Sequence, residues 1–313
     1  MNKNNILVTG GAGYIGSMLI EKLLKLDFNV TCLDSFMYGF ESISSFFSND
    51  NFTAINGDVR DTNLLKSIIA RYDIIIPLAA IVGAPLSQKD QTSTKSINLD
   101  SIKKMINLLS NDQKILYPVT NSGYGVGQAN KLCDENSPLK PLSLYAKTKV
   151  EAEKIIMERE RSISFRLATV FGPSRRMRID LLVNDFVLRS VTDRFIVLFE
   201  GNFKRNYIHI NDVVDGFIFG IENFNKLKGN VFNLGLSEAN LTKIELCEEI
   251  KKINKEFLYF CSDINKDPDK RDYIVSNQKI ESFGFKAKTS LPQGIRQLSS
   301  LFSVIKVKNF SNN

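Results

Sequence analysis

The chain has 313 residues, 43% hydrophobic and 24% charged, which is enough for one large globular domain or two unequal ones. It contains a single histidine and four widely spaced cysteines, so a zinc cluster and a histidine-based catalytic triad both lack their parts, and no metal is expected. The net charge of +7 comes from basic residues scattered among 34 acidic ones. This distribution argues against nucleic-acid binding and is equally well explained by a small anionic substrate.

Apolar segments are short throughout the sequence. Residues 1–5 are polar and are followed by only three apolar residues before a glycine-rich turn, which does not fit a signal peptide. The longest apolar run, residues 74–85, contains two prolines and falls short of the roughly 20 residues that cross a bilayer. Together with cysteines that have no evident partners, these features predict a cytoplasmic protein without a membrane segment.

The first half of the chain alternates short β-rich segments with amphipathic helices, as in repeated βαβ units. Strands are predicted at residues 6–9, 29–33, 52–56, 73–78, 114–119 and 164–170. Apolar stripes predict helices over residues 15–26 and 94–109. The expected fold class is α/β, with a doubly wound parallel sheet of the Rossmann type.

The regular alternation stops near residue 170. Short strands at residues 207–210 and 231–234 then mix with helices at 180–190 and 243–254. We therefore predict a first domain over residues 1–170 and a smaller α/β lobe over residues 171–313. Some segments of this lobe are expected to return to the first domain.

The first predicted strand leads through a glycine-rich turn directly into the first helix. The turn reads Thr-Gly-Gly-Ala-Gly-Tyr-Ile-Gly, with Gly10, Gly13 and Gly16 spaced three apart. In a dinucleotide-binding loop these glycines allow the tight turn, the approach of the pyrophosphate and close packing of helix on strand, respectively. The N–H groups of Tyr14 and Ile15 would face the phosphates. Such turns are common, so the pattern needs a second signal.

A carboxylate at the end of the second strand supplies that signal. Asp34 stands where dinucleotide-binding domains place the carboxylate that binds the adenosine ribose hydroxyls. No Lys or Arg lies between Asp34 and Arg60 to offset repulsion of a 2′-phosphate, so the predicted cofactor is NAD rather than NADP. Asp58, after the third strand, is placed to accept a hydrogen bond from the adenine amino group. A helix N-cap or turn role for Asp58 is an equal alternative.

A tyrosine and a lysine share one face of a predicted helix. Tyr145 is the only one of nine tyrosines with a lysine, Lys149, at the fourth position after it. A nearby amine and the oxidised nicotinamide would lower the phenol pKa from about 10 toward neutrality, so the phenolate could deprotonate an alcohol that gives hydride to the cofactor. Thr120 and Ser122 follow the strand at residues 114–119, and either hydroxyl could orient that alcohol.

These motifs, in this order, resemble the extended short-chain dehydrogenase/reductase family of nucleotide-sugar epimerases and dehydratases, over nearly the whole chain. The resemblance implies that Tyr145 is the base, that Lys149 holds the nicotinamide ribose and that Thr120 binds the sugar hydroxyl. It also implies cofactor contacts from residues at the ends of the third and fourth strands. These residues are Val59, Leu78, Ala79 and Ala80.

Two positions depart from the family pattern. The 4,6-dehydratases carry an Asp-Glu pair directly after the threonine, whereas this chain has Asn121 and Ser122, so dehydration is not expected. Pro77 replaces the usual histidine before Leu-Ala-Ala, which removes a strand-end N–H donor but no known catalytic group. The resemblance therefore points to oxidation of a sugar carbon, C4, without loss of water.

The second lobe supplies the expected substrate-binding residues beyond Ser122. Arg205 and Arg271 resemble the two family arginines that clamp the nucleotide diphosphate, a role suited to the planar guanidinium. Asn184 matches a family amide that contacts the substrate. Residues 166–186 and 267–277 look closest to a subgroup that acts on GDP-linked heptoses for capsular or surface polysaccharide.

Three functions remain open at this point. The favoured one is a dehydrogenase that turns GDP-heptose into its 4-keto product, with NADH reoxidised by another acceptor such as the 2-oxo acid 2-oxoglutarate. The second is a nucleotide-sugar 4-epimerase, and the third is a non-catalytic NAD-binding protein, against which the intact catalytic set argues. The resemblance also implies a homodimer formed by the helices at residues 94–109 and 145–159. His209 is expected to be a packed structural residue.

Overall fold

The computed structural model of the protein describes residues 4–127, 131–262 and 271–305. Its strands are β1 (Asn5–Thr9), β2 (Asn29–Asp34), β3 (Phe52–Asn56), β4 (Ile74–Pro77), β5 (Lys114–Thr120), β6 (Leu132–Cys133), β7 (Ser162–Leu167), β8 (Thr169–Phe171), β9 (Phe195–Phe199), β10 (Lys204–His209), β11 (Asn230–Leu234), β12 (Asn240–Thr242), β13 (Leu258–Ser262) and β14 (Ile274–Val275). Its α-helices are α1 (Tyr14–Lys25), α2 (Thr62–Ile68), α3 (Ala84–Lys89), α4 (Gln91–Lys95), α5 (Ser101–Leu108), α6 (Leu144–Met157), α7 (Leu182–Thr192), α8 (Ile210–Glu222), α9 (Phe224–Leu227), α10 (Lys243–Ile253), α11 (Gln278–Ser282) and α12 (Leu291–Val304). None of the helices in these ranges combines the length and apolar composition needed to cross a membrane.

A seven-stranded sheet in the order β3-β2-β1-β4-β5-β7-β11 organises the fold, and all of its neighbouring strands are parallel. The predicted doubly wound α/β class is confirmed. Strand order reverses between β1 and β4, so the connections after these two strands leave toward opposite sides. The gap that results at the carboxyl edge of the sheet is where ligands bind in such folds.

The sheet is covered on both faces, and its central strands β1 and β4 are apolar at successive positions, residues 6–8 and 74–76. In β1, Ile6 and Val8 join one buried cluster with residues of α1 and α8, whereas Leu7 joins a second cluster with residues of α2, α5 and α6. Successive side chains of a strand point to opposite faces, so a strand buried on both sides requires this uninterrupted apolar run.

A second lobe is built from later segments of the chain. Its core contains residues between Phe171 and Phe302, with α7, α10 and α12 packed around a three-stranded sheet in the order β12-β10-β8. Two segments beyond residue 170 lie elsewhere, because β11 forms the edge of the main sheet and α8 packs against α1.

Two predicted elements are divided in the structure. The strand expected at residues 164–170 is split at Ala168, whose N–H donates to Leu234 O at 2.9 Å, and β8 beyond it pairs with β10 in the second lobe. The helix expected at residues 94–109 contains a π-helical turn at Ser96–Asp100. In that turn Asn98 Oδ1 accepts from Ile81 N at 2.8 Å and Asn98 Nδ2 donates to Ile81 O at 2.9 Å. Hydrophobic periodicity carries no signal for either interruption.

A buried ion pair joins the last turn of α6 to β7. Arg166 Nη2 lies 2.8 Å from Glu153 Oε2, and the two side chains are only 8% and 4% exposed. Ser164 Oγ donates to Glu153 Oε1 at 2.6 Å, and Arg166 Nη1 donates to Tyr124 OH at 3.2 Å. Removing one charge would leave the other buried without its partner, which costs more than an intact pair gains.

We therefore expect Glu153→Ala to lower the free energy of unfolding by about 3–5 kcal/mol. Glu151→Ala is the matched control on the same helix, because Glu151 pairs with Lys103 at the surface and is 55% exposed. That variant should change stability by less than about 1 kcal/mol. Denaturant unfolding of both variants measures the difference, and equal losses would contradict the importance of the buried pair.

Candidate active site

A cleft of about 620 Å³ opens at the carboxyl edge of the main sheet and continues under the second lobe. It is large enough for a cofactor and a substrate to meet. Most of the residues selected from the sequence line it. They are Gly10, Gly13, Tyr14, Ile15, Gly16, Asp34, Asp58, Val59, Leu78, Ala79, Ala80, Thr120, Tyr145, Lys149, Arg205 and Arg271.

The glycine turn has the geometry that its spacing predicts. Gly10 has φ of +70°, and a Cβ there would lie 2.5 Å from Ala79 N, so only glycine fits against the end of β4. A Cβ on Gly16 would lie 2.4 Å from Gly10 O, which shows how closely helix and turn pack. At Gly13, the N-cap of α1, no side chain caps the helix, so its first N–H groups are available to a phosphate.

Asp34 is tied to the glycine turn by its own carboxylate. Its Oδ2 accepts from Ala12 N at 3.0 Å and its Oδ1 accepts from Phe36 N at 2.9 Å. Burial raises the pKa of Asp34, and these backbone hydrogen bonds oppose the rise. Asp58 differs, since its carboxylate pairs with Arg60 at 2.6 Å, and this bond lowers its pKa.

The folded protein places a cation near Asp34 that is distant from it in the sequence. No cation lies near Asp34 along the chain, but Arg176 from the second lobe lines the same end of the cleft and interacts electrostatically with Asp34. The two residues are 142 positions apart, so the sequence gives no sign of their proximity.

The predicted catalytic residues come together in the middle of the cleft. Ser143 caps α6 by accepting from Ala146 N at 3.2 Å, which places Tyr145 in the first turn and Lys149 one turn later. Thr120, at the end of β5, lines the cleft with Tyr145, and its hydroxyl lowers the pKa of the Tyr145 phenol. Lys149 is 3% exposed, and its Nζ lies 3.8 Å from the centre of the Tyr117 ring.

The sequence predicted that Lys149 helps to lower the pKa of Tyr145, but the net effect of the protein's own groups is to raise it. Burial raises the pKa of Tyr145, and the groups that oppose this rise are Arg178, Arg271 and the Thr120 hydroxyl. Lys149 is itself affected, because burial lowers its pKa to about 7 while Glu153 opposes this. Desolvation of the Tyr145 phenol outweighs the attraction of the cations around it.

Four basic residues gather on the substrate side of the cleft: Arg178, Arg205, Lys243 and Arg271. Arg178 pairs with Asp180, and Lys243 Nζ donates to Phe199 O at 2.9 Å. Sequence reasoning found Arg205 and Arg271 but missed the other two. Residues 267–270 of the segment that contains Arg271 lie outside the described residues.

Two predicted substrate residues do not line the cleft. Ser122 is 1% exposed, and its Oγ bonds Arg271 Nη1 and lies 2.9 Å from Thr120 Oγ1. Asn184 is completely buried, with Oδ1 accepting from Gly172 N at 3.0 Å and Nδ2 donating to Arg178 O at 2.8 Å. Both side chains therefore hold cleft residues in place from behind.

His209 has the structural position expected of it. It is 1% exposed, and its Nδ1 accepts from Asn211 N at 3.2 Å, which caps α8. Burial lowers the pKa of His209.

Comparison with known proteins agrees with this arrangement. A sequence model described as the NAD dependent epimerase/dehydratase family matches residues 6–235. The chain belongs to this family. As a family member the protein is an NAD-dependent enzyme of the short-chain dehydrogenase/reductase type, and the prediction of NAD is confirmed.

Three similar proteins match this chain along most of their length. The chain is 26% identical to dTDP-D-glucose 4,6-dehydratase of Mus musculus, over 98% of this chain and 90% of the relative. It is 29% identical to an uncharacterized UDP-glucose epimerase of Bacillus subtilis, over 95% of this chain and 98% of the relative. UDP-glucuronic acid 4-epimerase from Bacillus cereus, solved with UDP-glucuronic acid and NAD, superposes with a TM-score of 0.85 at 23% identity, over 95% and 98% of the two chains.

The proximity of the Thr120 hydroxyl to Tyr145 predicts a pH effect. Because this hydroxyl lowers the phenol pKa, Thr120→Val should move the rising, acid-side limb of log kcat/KM to higher pH. Activity at neutral pH should fall about tenfold for each unit of that shift and recover as the pH is raised. Thr120→Ser keeps the hydroxyl and is the matched control. In this variant the limb of log kcat/KM should stay at the pH of the wild-type enzyme. An unshifted limb in Thr120→Val would contradict this role.

Proposed function

We propose that this enzyme oxidises C4 of a nucleoside-diphosphate sugar, with GDP-heptose as the favoured substrate and a 4-keto sugar nucleotide as the product. The observation that carries the proposal is that Thr120, Tyr145 and buried Lys149 line the cleft together, with the Thr120 hydroxyl near enough to the Tyr145 phenol to lower its pKa. This group lies between the glycine turn and a wall of four basic residues in one cleft.

Each catalytic side chain has a defined task in this reaction. The hydroxyl of Thr120 orients the alcohol at C4, and the phenol of Tyr145, when ionised, removes its proton. Bound NAD supplies the acceptor for the hydride that leaves C4. Lys149 is positioned one helical turn from Tyr145 to hold the cofactor ribose, and the lowering of its pKa to about 7 lets it carry or lose a proton near neutral pH.

The basic wall supports a diphosphate substrate. Arg178, Arg205, Lys243 and Arg271 line the cleft on the side of Tyr145 that faces the second lobe. Arginine forms paired hydrogen bonds to phosphate oxygens, and a cleft with little exposure to water strengthens these contacts. Relatives named for dTDP-glucose and UDP-glucose support a nucleotide sugar. The preference for GDP-heptose is carried by the resemblance of residues 166–186 to that subgroup.

A 4-epimerase is the second candidate, and the relative of Bacillus subtilis named for UDP-glucose epimerization favours it equally. In that case the keto sugar turns within the cleft and takes the hydride back. Dehydration is disfavoured because Asn121 and Ser122 stand where elimination would need carboxyl groups. A 2-oxo acid such as 2-oxoglutarate would reoxidise NADH if the keto product leaves.

Tyr145→Phe tests the proposed base. We expect turnover to fall by about 10²- to 10⁴-fold while NAD binding remains, because the ring still fills its site without a proton acceptor. Tyr38→Phe is the matched control, since Tyr38 lines the same cleft at the other end. Initial rates and calorimetric titration with NAD measure both effects. Unchanged turnover in Tyr145→Phe would refute the assignment.

Product analysis separates the candidate reactions. The enzyme is incubated with GDP-heptose, with and without 2-oxoglutarate, in deuterated water, and the sugar product is identified by mass spectrometry. A product about two mass units lighter, before correction for exchange and formed only with the acceptor, corresponds to loss of a proton and a hydride and supports the dehydrogenase. A product of unchanged mass and altered stereochemistry supports the epimerase. Absence of turnover would exclude GDP-heptose and direct the assay to UDP- and dTDP-sugars.

A further inference from the structure

A strap from the second lobe, residues 172–176, lies against the start of α1 at the cofactor end of the cleft. It follows β8 and is fixed to the start of α1 by two hydrogen bonds. Tyr14 OH donates to Gly172 O at 2.7 Å, and Ser174 Oγ donates to Tyr14 O at 2.7 Å. The strap therefore rests on the same helix N-terminus that faces the cofactor phosphates.

Arg175 anchors the middle of the strap to the first domain. Its Nε donates to Glu21 Oε2 at 2.8 Å, its Nη1 donates to Ser45 Oγ at 3.1 Å, and its guanidinium lies 4.8 Å from the centre of the Phe46 ring. The bond from Arg175 contributes most to lowering the pKa of Glu21, to about 2. These contacts tie the Arg175 side chain to the first domain.

Arg176, the next residue, turns the other way and lines the cleft. Its guanidinium stacks 4.4 Å above the ring of Tyr38, four residues beyond Asp34. Its hydrogen bond is a long one, from Nη1 to Met177 O at 3.4 Å, and among the described residues no carboxylate lies within ion-pair distance. Burial and the neighbouring charge of Arg178 lower the pKa of Arg176. An anion bound here would offset both the burial of the Arg176 charge and its repulsion by Arg178.

We propose that Arg176 is a cofactor-binding residue supplied by the second lobe, and that its guanidinium binds a phosphate group on the adenosine half of the dinucleotide. Two phosphates meet this description: the pyrophosphate, which every dinucleotide carries, and the 2′-phosphate of NADP. A half-buried arginine stacked on an aromatic ring is already held in one orientation, which suits it to bind a phosphate.

The position of Arg176 also bears on the choice between NAD and NADP. A carboxylate at the end of β2 repels a 2′-phosphate, and an arginine beside it is the usual means of accommodating that group. The charges of Asp34 and Arg176 interact, and both line the same end of the cleft. The repulsion expected from Asp34 alone is therefore offset in the folded protein.

Binding measurements test this role without any sugar substrate, so they are independent of the proposed reaction. The affinities of NAD and NADP are measured by calorimetry for the wild-type protein and for Arg176→Gln, Arg176→Lys and Arg175→Gln. Arg176→Gln should weaken the binding of NADP, of NAD or of both by at least about tenfold, and Arg176→Lys should retain part of the lost affinity. Arg175→Gln is the control on the strap and should lower the unfolding temperature but change each affinity less than about twofold.

The pattern of losses identifies the phosphate. An equal loss for NAD and NADP in Arg176→Gln supports contact with the pyrophosphate, and a larger loss for NADP supports contact with the 2′-phosphate. Unchanged affinities for both cofactors would overturn the proposal. Equal weakening by Arg175→Gln and Arg176→Gln would also overturn it, because the effect would then arise from docking of the strap.

Discussion

The close packing of the glycine turn between β1, β4 and α1 is the constraint on which the site depends. A side chain at Gly10 would collide with the backbone of Ala79, and one at Gly16 would collide with Gly10 O. Because no side chain separates the turn from the strands, the N-terminus of α1 lies close to the ends of β1 and β4, where the strand order of the sheet reverses. Asp34 then locks the turn through Ala12 N. The cofactor site is thus formed by backbone groups whose positions depend on the absence of side chains.

The second lobe completes this site from the opposite side. It leaves the main sheet at Ala168, where the chain passes from β7 to β8, and it returns to the first domain through β11 and α8. The strap, anchored by Arg175, and the basic wall both come from segments after this crossing. The second lobe therefore contributes residues to both ends of the cleft.

Burial shifts the pKa values of the proposed catalytic pair, Tyr145 and Lys149, in opposite directions. It raises the pKa of Tyr145 and lowers that of Lys149 to about 7, so both groups are displaced toward their neutral forms. Neighbouring cations and the Thr120 hydroxyl oppose the effect at Tyr145, and Glu153 opposes it at Lys149. The charged forms needed for chemistry are favoured only by groups that the tertiary structure brings close.

The sequence by itself determined the parallel α/β fold, the glycine turn, Asp34 and the Tyr145–Lys149 pair. These features are local: strand and helix periodicity, glycine spacing and residues one turn apart on a helix are all set by neighbouring positions. Only the tertiary structure decided that Arg176 lies beside Asp34, that Arg178 and Lys243 join the basic wall, and that Asn184 and Ser122 lie behind it. It also decided the direction of the Tyr145 pKa shift. Proximity between distant segments and the loss of water around a side chain arise only when the two lobes pack together, and no local pattern encodes them.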